Sequence, residues 1–346
     1  MELSPHQAEA LAQRIVELYS AAEYELLARL AHHLGKGLDT DDHWAERQLA
    51  EIQRFQRVAW EILEKLGADS AAAVTGVIGQ AGNRGGAIAV ASMMSGGVMS
   101  TAVDPFAVTA IAAELEQKLA ASRGRIFRSV DDIYRKVIVD STPLVNAGTI
   151  SRREAADRAL RRLASNGVTG FIDRQGKRWE MASYVEMASR QATKEAAIQG
   201  HTDRLIAQGH NLVIVSDVPQ ECADCRPFEG KVLALKPDGQ HKSLDEARRA
   251  GLFHPGCRHS LSRYQPGRTR SFGETADPEG DKARQKLRYL ERCVRAAKRE
   301  EAAALDDAGR KKATARVRAY EAKIREHVAT TSAKRQRHRE RVSAAR

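Results

Sequence analysis

Aromatic side chains are scarce in this chain, only 5% of 346 residues. Such groups carry much of the payload of large mixed cores. With Ala and Gly abundant instead, closely packed helices are expected. Long apolar runs are missing as well. The nearest is the uncharged stretch Gly85–Val103, which is interrupted by Gly85, Gly86, Gly96, Gly97 and several serines. A spanning helix needs about twenty predominantly apolar residues, so this stretch reads as a small-residue packing segment or a loop. No stable membrane insertion is expected. Cysteines number four and are unevenly placed, unlike a secreted disulfide framework. The opening Met1-Glu2-Leu3-Ser4-Pro5 has no basic stretch and no apolar core, so no secretory leader is expected. A phosphate-binding loop is missing too. Gly82-Asn83-Arg84-Gly85-Gly86 lacks the Lys-Ser/Thr ending, and no strand leads into it.

What is present begins with charge. The net charge is +11, and its distribution matters more than its size. The segment Arg268–Arg346 holds 23 Lys+Arg against 12 Asp+Glu, which leaves 33 of each sign in residues 1–267. The whole excess therefore sits in the C-terminal quarter. A localised basic arm points to a polyanion, most often nucleic acid. The plainer reading is a solvated helical hairpin kept soluble by its charges.

The length allows two or three domains. Residues 1–145 read as helical. Ser4-Pro5 is an N-cap followed by proline, and Leu11, Ile15, Leu18, Ala22, Leu26 and Leu30 form one apolar stripe. Gly35 and Gly37 end it. A second helix carries Trp44, Leu49, Ile52, Phe55, Ala59, Ile62, Leu63 and Leu66, with Gly67 as its expected end and Trp44 and Trp60 as expected core anchors. Together they make a long helical hairpin. The Gly/Ala-rich segment 70–103 follows, where Gly76, Gly79 and Gly82 at steps of three would let backbones approach closely. A helix restarts at Asp104-Pro105, and a further stretch runs from Val130 to the breaker Ser141-Thr142-Pro143.

Residues 146–267 have mixed periodicity. Ser151-Arg152-Arg153-Glu154 is a capping-box pattern. Short strands are expected at Val168–Ile172 and Lys177–Trp179, around a turn, and at Asn211–Val215 and Lys231–Leu235. A helix is expected after Trp179 and a small one near Leu244–Ala250. This is a compact α+β module with little room for a large sheet. Residues 268–346 read as two thin amphipathic helices broken at Asp306-Asp307-Ala308-Gly309, then a disordered basic tail past Val328. The fold class is thus mainly α with a small α+β module, flanked by an N-terminal helical hairpin and a C-terminal basic one. The arm has one tyrosine per helix, Tyr289 and Tyr320, so no stacking platform for single strands is expected. Its expected partner is duplex DNA, held non-specifically at phosphate. The candidate contacts are Arg310, Lys311, Lys312, Lys334, Arg335, Arg337 and Arg339.

Three of the four cysteines share one segment: Cys222-Ala223-Asp224-Cys225, then His254-Pro255-Gly256-Cys257-Arg258-His259. Thiolate and imidazole are zinc ligands, and paired ligands with short gaps can converge on one ion. Cys222, Cys225, His254 and Cys257 would give a Cys3His set, with His259 a fifth candidate. The same spacing also allows a reduced thiol core or a disulfide. A catalytic site is less supported. No His-Glu-x-x-His or His-x-Glu pattern supplies a general base, and no evident third group orients Cys257 with His254 or His259.

The run Gly170–Trp179, then Tyr184-Val185-Glu186-Met187, the strand Leu212–Val215, Cys222–Val232 and Gly251–Ser260 together resemble the tailed-phage minor capsid protein 2 family, related to Mu-F-like head-morphogenesis proteins. The match is best over about 150–265, with the Glu229-Gly230-Lys231 and Leu252-Phe253-His254-Pro255 runs its most specific parts. Many such relatives end the last motif in cysteine, where this chain has His259. At Arg190-Gln191 the family leads one to expect an Arg-Thr pair. The resemblance implies a non-enzymatic virion component, present in few copies at the head interior or portal vertex after assembly in the host cytoplasm. Its implied partners are the portal protein or the major capsid protein, in head assembly or DNA packaging and delivery. The alternatives are a zinc-dependent DNA-processing enzyme or a cytosolic DNA-binding protein using the same cluster.

Overall fold

The first apolar stripe folds as helix α1, Pro5–Gly35, and the second as α2, Trp44–Met93. They belong to a computed structural model that describes residues 5–36, 38, 43–93, 104–146, 151–165, 171–172, 178–218, 224–254, 256–269 and 277–342. Cys222, the 94–103 part of the Gly/Ala segment, the 173–177 turn and the last four residues lie outside the described residues. Further helices are α3 Pro105–Asn146, α4 Arg152–Ser165, α5 Met181–Ala207, α6 Leu244–Arg249, α7 Pro278–Ala302 and α8 Asp307–Thr330. The strands are β1 Phe171–Ile172, β2 Arg178–Trp179, β3 Leu212–Val215, β4 Val232–Ala234 and β5 Leu261–Arg263. The architecture is mainly α with a small antiparallel sheet, as the sequence pattern predicts. Among the described residues no helix is long and apolar enough to cross a membrane.

The chain divides into two compact units. One comprises Met1–Ile15, Ala71–Lys118 and Glu186–Lys282, the other Val16–Ser70, Leu119–Val185 and Ala283–Arg346.

In the first unit, β3 is the central strand of a sheet ordered β4-β3-β5. Both pairings are antiparallel, with Ile214 opposite Val232 on one side and Ser262 on the other. Val213, Ile214 and Val215 are buried. Strand β5 has no sequence precedent: three residues with one buried leucine carry too little alternation to be read. Helix α6 is fixed by a capping box between Ser243 and Glu246. The core joins Ile198 and Leu205 of α5 to Val213, Val215, Phe228, Leu233, Leu244, Leu252, Phe253 and Leu261.

The expected end of α2 at Gly67 is corrected: the helix runs on for 50 residues in all. Each interior glycine costs about 1 kcal/mol of helix propensity, so packing has to offset it. It does so at two positions. A Cβ on Gly85 would overlap the Ala197 carbonyl of α5, and one on Gly200 of α5 would overlap the Gly82 carbonyl. Backbone meets backbone there, and only glycine permits it. Gly76 and Gly79 meet nothing within 4 Å, so of the three glycines at steps of three only Gly82 takes part in the close approach.

The second unit holds the N-terminal hairpin. Hydrogen bonds between α1 and α2 pair Leu34 with Trp44 and Tyr19 with Ser70, the progression of antiparallel helices. Phe55 stacks on Tyr134 of α3 at 5.2 Å between ring centroids, and Tyr134 donates to Gln48 at 2.6 Å. Trp44 is a core anchor as expected, but Trp60 is not: it is 53% exposed and packs edge-on against Phe127. Helices α7 and α8 meet through Leu287, Leu290, Val294, Ala297, Val317 and Ile324. The break between them falls at 303–306 rather than 306–309. Asp306 caps α8 by accepting from Gly309 N at 2.6 Å, which draws Asp307–Gly309 into its first turn.

A buried ionic knot ties the start of α5 to α7. Arg295 and Arg299 both donate to Glu180, with Glu23 of α1 3.8 Å from Arg299. Residues past Val328, expected as a disordered tail, instead continue α8 to Thr330 and then form a 3-10 turn at Arg337–Glu340. Arg339 donates to Glu291, Arg295 donates to the Arg339 carbonyl at 2.6 Å, and Lys298 donates to the Glu340 carbonyl. These partners on α7 hold a segment that its own composition would leave unfolded.

Candidate metal centre

Two turns bring the cluster together. Cys225 stands just before the 3-10 turn Arg226–Phe228, at its N-cap position but without a side-chain capping bond, and that turn leads back towards β4. His254 and Cys257 lie on the loop between α6 and β5. That loop is bent by left-handed residues at Gly251 (φ 110), Phe253 (φ 64) and Gly256 (φ 94). Phe253 is the only non-glycine with positive φ among the described residues, a strained backbone immediately before His254. It is held from α5: Gln191 donates to the Phe253 carbonyl at 2.9 Å, and Lys194 Nζ lies 4.4 Å from the Phe253 ring centroid. Gln191, which stands where the family pattern suggests threonine, thus positions the loop. Arg190 turns elsewhere, to Glu9 of α1 at 3.0 Å.

One ligand atom each from Cys225, His254 and Cys257 lies within 4.8 Å of the others. The two Sγ atoms are 3.4 Å apart. A tetrahedral ion with Zn–S bonds of about 2.3 Å spaces its sulfurs by about 3.8 Å, so the donors need little adjustment to take one. Cys225 is fully buried and Cys257 nearly so. Three of the four expected ligands therefore converge, and Cys222, the fourth, lies outside the described residues.

His259 does not join that group. Its Nδ1 is 3.4 Å from Cys257 Sγ, while its Nε2 is 2.6 Å from Glu229 Oε1. Glu229 also accepts from the Val218 backbone N–H. The ring therefore braces a sulfur that could ligate, an outer-shell role. Burial works against a charged ring, but Cys257 and Glu229 together raise the His259 pKa. The Cys225 hydrogen bond, His259 and the Lys194 charge prevail over burial and hold the Cys257 thiol well below its ordinary range. Burial in turn lowers Lys194, whose Nζ donates to the Cys257 carbonyl.

Glu229 is the residue that sequence reasoning did not place. In sequence it stood out only as a carboxylate close to the cysteine pair and as part of the Glu229-Gly230-Lys231 run. It supplies an orienting group for His259, the element absent from the sequence reading of Cys257 as a nucleophile. The adjoining cavity between α5 and the α6–β5 loop, lined by Gln191, Lys194, Arg248, Phe253 and His254, holds about 230 Å³. That is smaller than ligand sites of about 300–1,000 Å³.

The expected DNA contacts separate into two sets. Arg310, Lys311 and Lys312 open α8 on its exposed side, and Lys334 and Arg337 are also exposed. Arg335 is paired with Glu340 at 2.6 Å, and Arg339 is buried against Glu291, so these two serve the fold. Sequence reasoning missed Arg318 and Arg325. Both are exposed and lie seven and fourteen residues after Lys311, on one face of α8.

The model of the phage minor capsid protein 2 family matches residues 3–329. No curated protein and no solved structure matches the chain. The chain belongs to the phage minor capsid protein 2 family. It is a structural head protein of that class, and its place as a virion component follows from the family.

Proposed function

We propose that this protein is a portal-associated minor head component that holds packaged or entering DNA through α8 and acts in head assembly or DNA packaging and delivery. The observation that carries the DNA reading is the row Lys311, Arg318 and Arg325. It is exposed along α8 and spans about 21 Å at 1.5 Å per residue. Neighbouring arginines 295, 299, 335 and 339 are consumed by buried carboxylates and cannot serve DNA. Lys312, Arg310, Lys334 and Arg337 add to the same exposed positive charge. Interactions of this kind are with phosphate and do not read sequence. Truncation before Arg268 tests the reading: it should weaken duplex binding and flatten its salt dependence, and unchanged binding would sink it.

The portal contact is assigned to α2. Leu49 and Trp60 are exposed and, eleven residues apart, share a helix face. A large exposed tryptophan is a typical interface anchor. Trp60→Ala should lower incorporation into particles without unfolding the protein.

The cluster is assigned a structural role. Cys225, His254 and Cys257, with Cys222 as the fourth ligand, hold one zinc ion that staples β3, the 3-10 turn and the α6–β5 loop. The convergence of three donors supports this. Native mass spectrometry of the purified chain should find one zinc per molecule, and Cys225→Ser should lose it.

A further inference from the structure

Cys225 and Cys257 are 32 residues apart in sequence, yet their sulfurs are 3.4 Å apart. A disulfide bond is about 2.0 Å long, so side-chain rotation and a small loop movement would close the gap. We propose that Cys225 and Cys257 form a redox-active pair, converted by a hydroperoxide to a disulfide that leaves the cluster unable to hold a metal. The loss of metal rests on the zinc reading above, whereas the pair itself needs only the two sulfurs.

The surroundings assign the order of events. Cys257 accepts from the His259 backbone N–H at 3.4 Å and faces His259 Nδ1 at the same distance. Glu229 fixes the far side of that ring. Cys257 also keeps 8% exposure where Cys225 has none, so the small oxidant meets it first. The Cys257 thiolate attacks one peroxide oxygen, the O–O bond breaks and the released hydroxide takes a proton. The product is Cys257 sulfenic acid. The Cys225 thiolate then attacks that sulfur, the S–O bond breaks, the S–S bond forms, and the second hydroxide leaves as water. Two thiols and one hydrogen peroxide thus yield one disulfide and two waters. Neither sulfur then carries the thiolate charge that metal binding needs.

Such a pair would register passage from a reducing host cytoplasm to oxidising surroundings. In the particle it would replace a metal staple by a covalent one between the same two turns.

The experiment uses the purified full-length chain. Its metal content is measured first, and hydrogen peroxide is then titrated in. Free thiols, released zinc and cross-linked peptides are followed together. The expected result is a Cys225–Cys257 linked peptide, two thiols consumed per link, release of the bound ion in step with it, and reversal by dithiothreitol. In Cys225→Ser, a sulfenic acid trapped by dimedone at Cys257 is expected instead, a readout independent of metal loading. Pairing of either residue with Cys222, or intact Cys225 and Cys257 under peroxide that oxidises Cys293, would overturn the proposal. A link formed in protein that never held metal supports the pair and removes the zinc reading. Bound metal with no link formed does the reverse.

Discussion

Glu229 Oε1 lies 2.6 Å from His259 Nε2, and the other nitrogen of that ring faces Cys257 Sγ at 3.4 Å. The histidine is 2% exposed, so its two nitrogens depend on these two partners. A chain carboxylate–imidazole–sulfur fixes the direction of the Cys257 sulfur, and with it one corner of the cluster.

Removing the carboxylate should therefore be felt in two ways. Glu229→Ala orphans the His259 ring nitrogen and the Val218 N–H. An unmet buried polar group costs about 1–3 kcal/mol, and loss of outer-shell support weakens metal binding by about 10–100-fold. Urea denaturation and a competitive chelator titration read the two separately. Glu229→Gln, which keeps a hydrogen-bonding group at the same reach, should recover most of the stability. An alanine variant as stable as the parent would show that the carboxylate–imidazole–sulfur chain is not needed.

The helix crossing supplies a paired test. Gly200→Ala or Gly85→Ala places a methyl group inside a facing backbone carbonyl. Such overpacking costs about 1–3 kcal/mol or more, because neither helix can yield locally. Gly76→Ala, on the same helix with open space around it, should be stabilising by up to about 1 kcal/mol. Thermal melts of the variants decide the matter, and equal shifts for Gly76 and Gly85 would remove the close-approach argument.

These two sites also explain what the sequence could and could not reveal. Periodicity found α1, α5, α7 and α8 and the strands β3 and β4, because each carries a long or strong apolar pattern. It failed where tertiary packing overrides local preference. Gly67 looks like a helix end, yet α2 continues because its later glycines are matched by Gly200 and Ala197. Arg335 and Arg339 look like free cations in a patternless tail, but the carboxylates that capture them, Glu340 and Glu291, carry no spacing signal. At the cluster, the residue types and gaps announced Cys225, His254 and Cys257. The contact of Glu229 with His259 became visible only when β3 and β5 were paired, since that pairing sets the His259 strand end beside the turn after the 3-10 helix.

The ionic knot predicts an acid-sensitive stability. Glu180 is faced by Arg295, Arg299 and Ser183, with Glu23 beyond Arg299. Burial opposes its charge, but the two guanidinium groups hold its carboxyl well below the ordinary glutamate range. The folded pKa is therefore depressed. The stability it contributes is complete above the unfolded value of about 4.3 and is lost as pH falls towards the folded one. Glu180→Gln should be less stable at neutral pH and should show a shallower loss between about pH 5 and 3. Glu180→Ala takes the shared carboxylate from two buried arginines, worth about 3–5 kcal/mol. Urea midpoints measured across that range check the sign, and an unchanged slope in the glutamine variant would refute the assignment to Glu180.

The DNA reading can be decided on α8 alone. Each phosphate interaction removed should reduce the slope of log affinity against log salt by about 0.9. The triple variant Lys311→Glu, Arg318→Glu, Arg325→Glu removes three exposed cations from one face, so the slope should fall by nearly three and low-salt affinity should drop steeply. Helix stability should change little, since all three side chains are exposed and α8 packs on α7 through a different face, at Val317 and Ile324. Arg339→Ala is the counter-test. It takes one of two arginines from the buried Glu291, which keeps Arg288, and should destabilise the fold, yet leave the salt slope unchanged because Arg339 cannot reach a phosphate from its buried position. Fluorescence anisotropy with a duplex of arbitrary sequence measures both variants. If Arg339→Ala flattened the slope while the triple variant did not, DNA binding would belong to the C-terminal segment after α8 rather than to the helix.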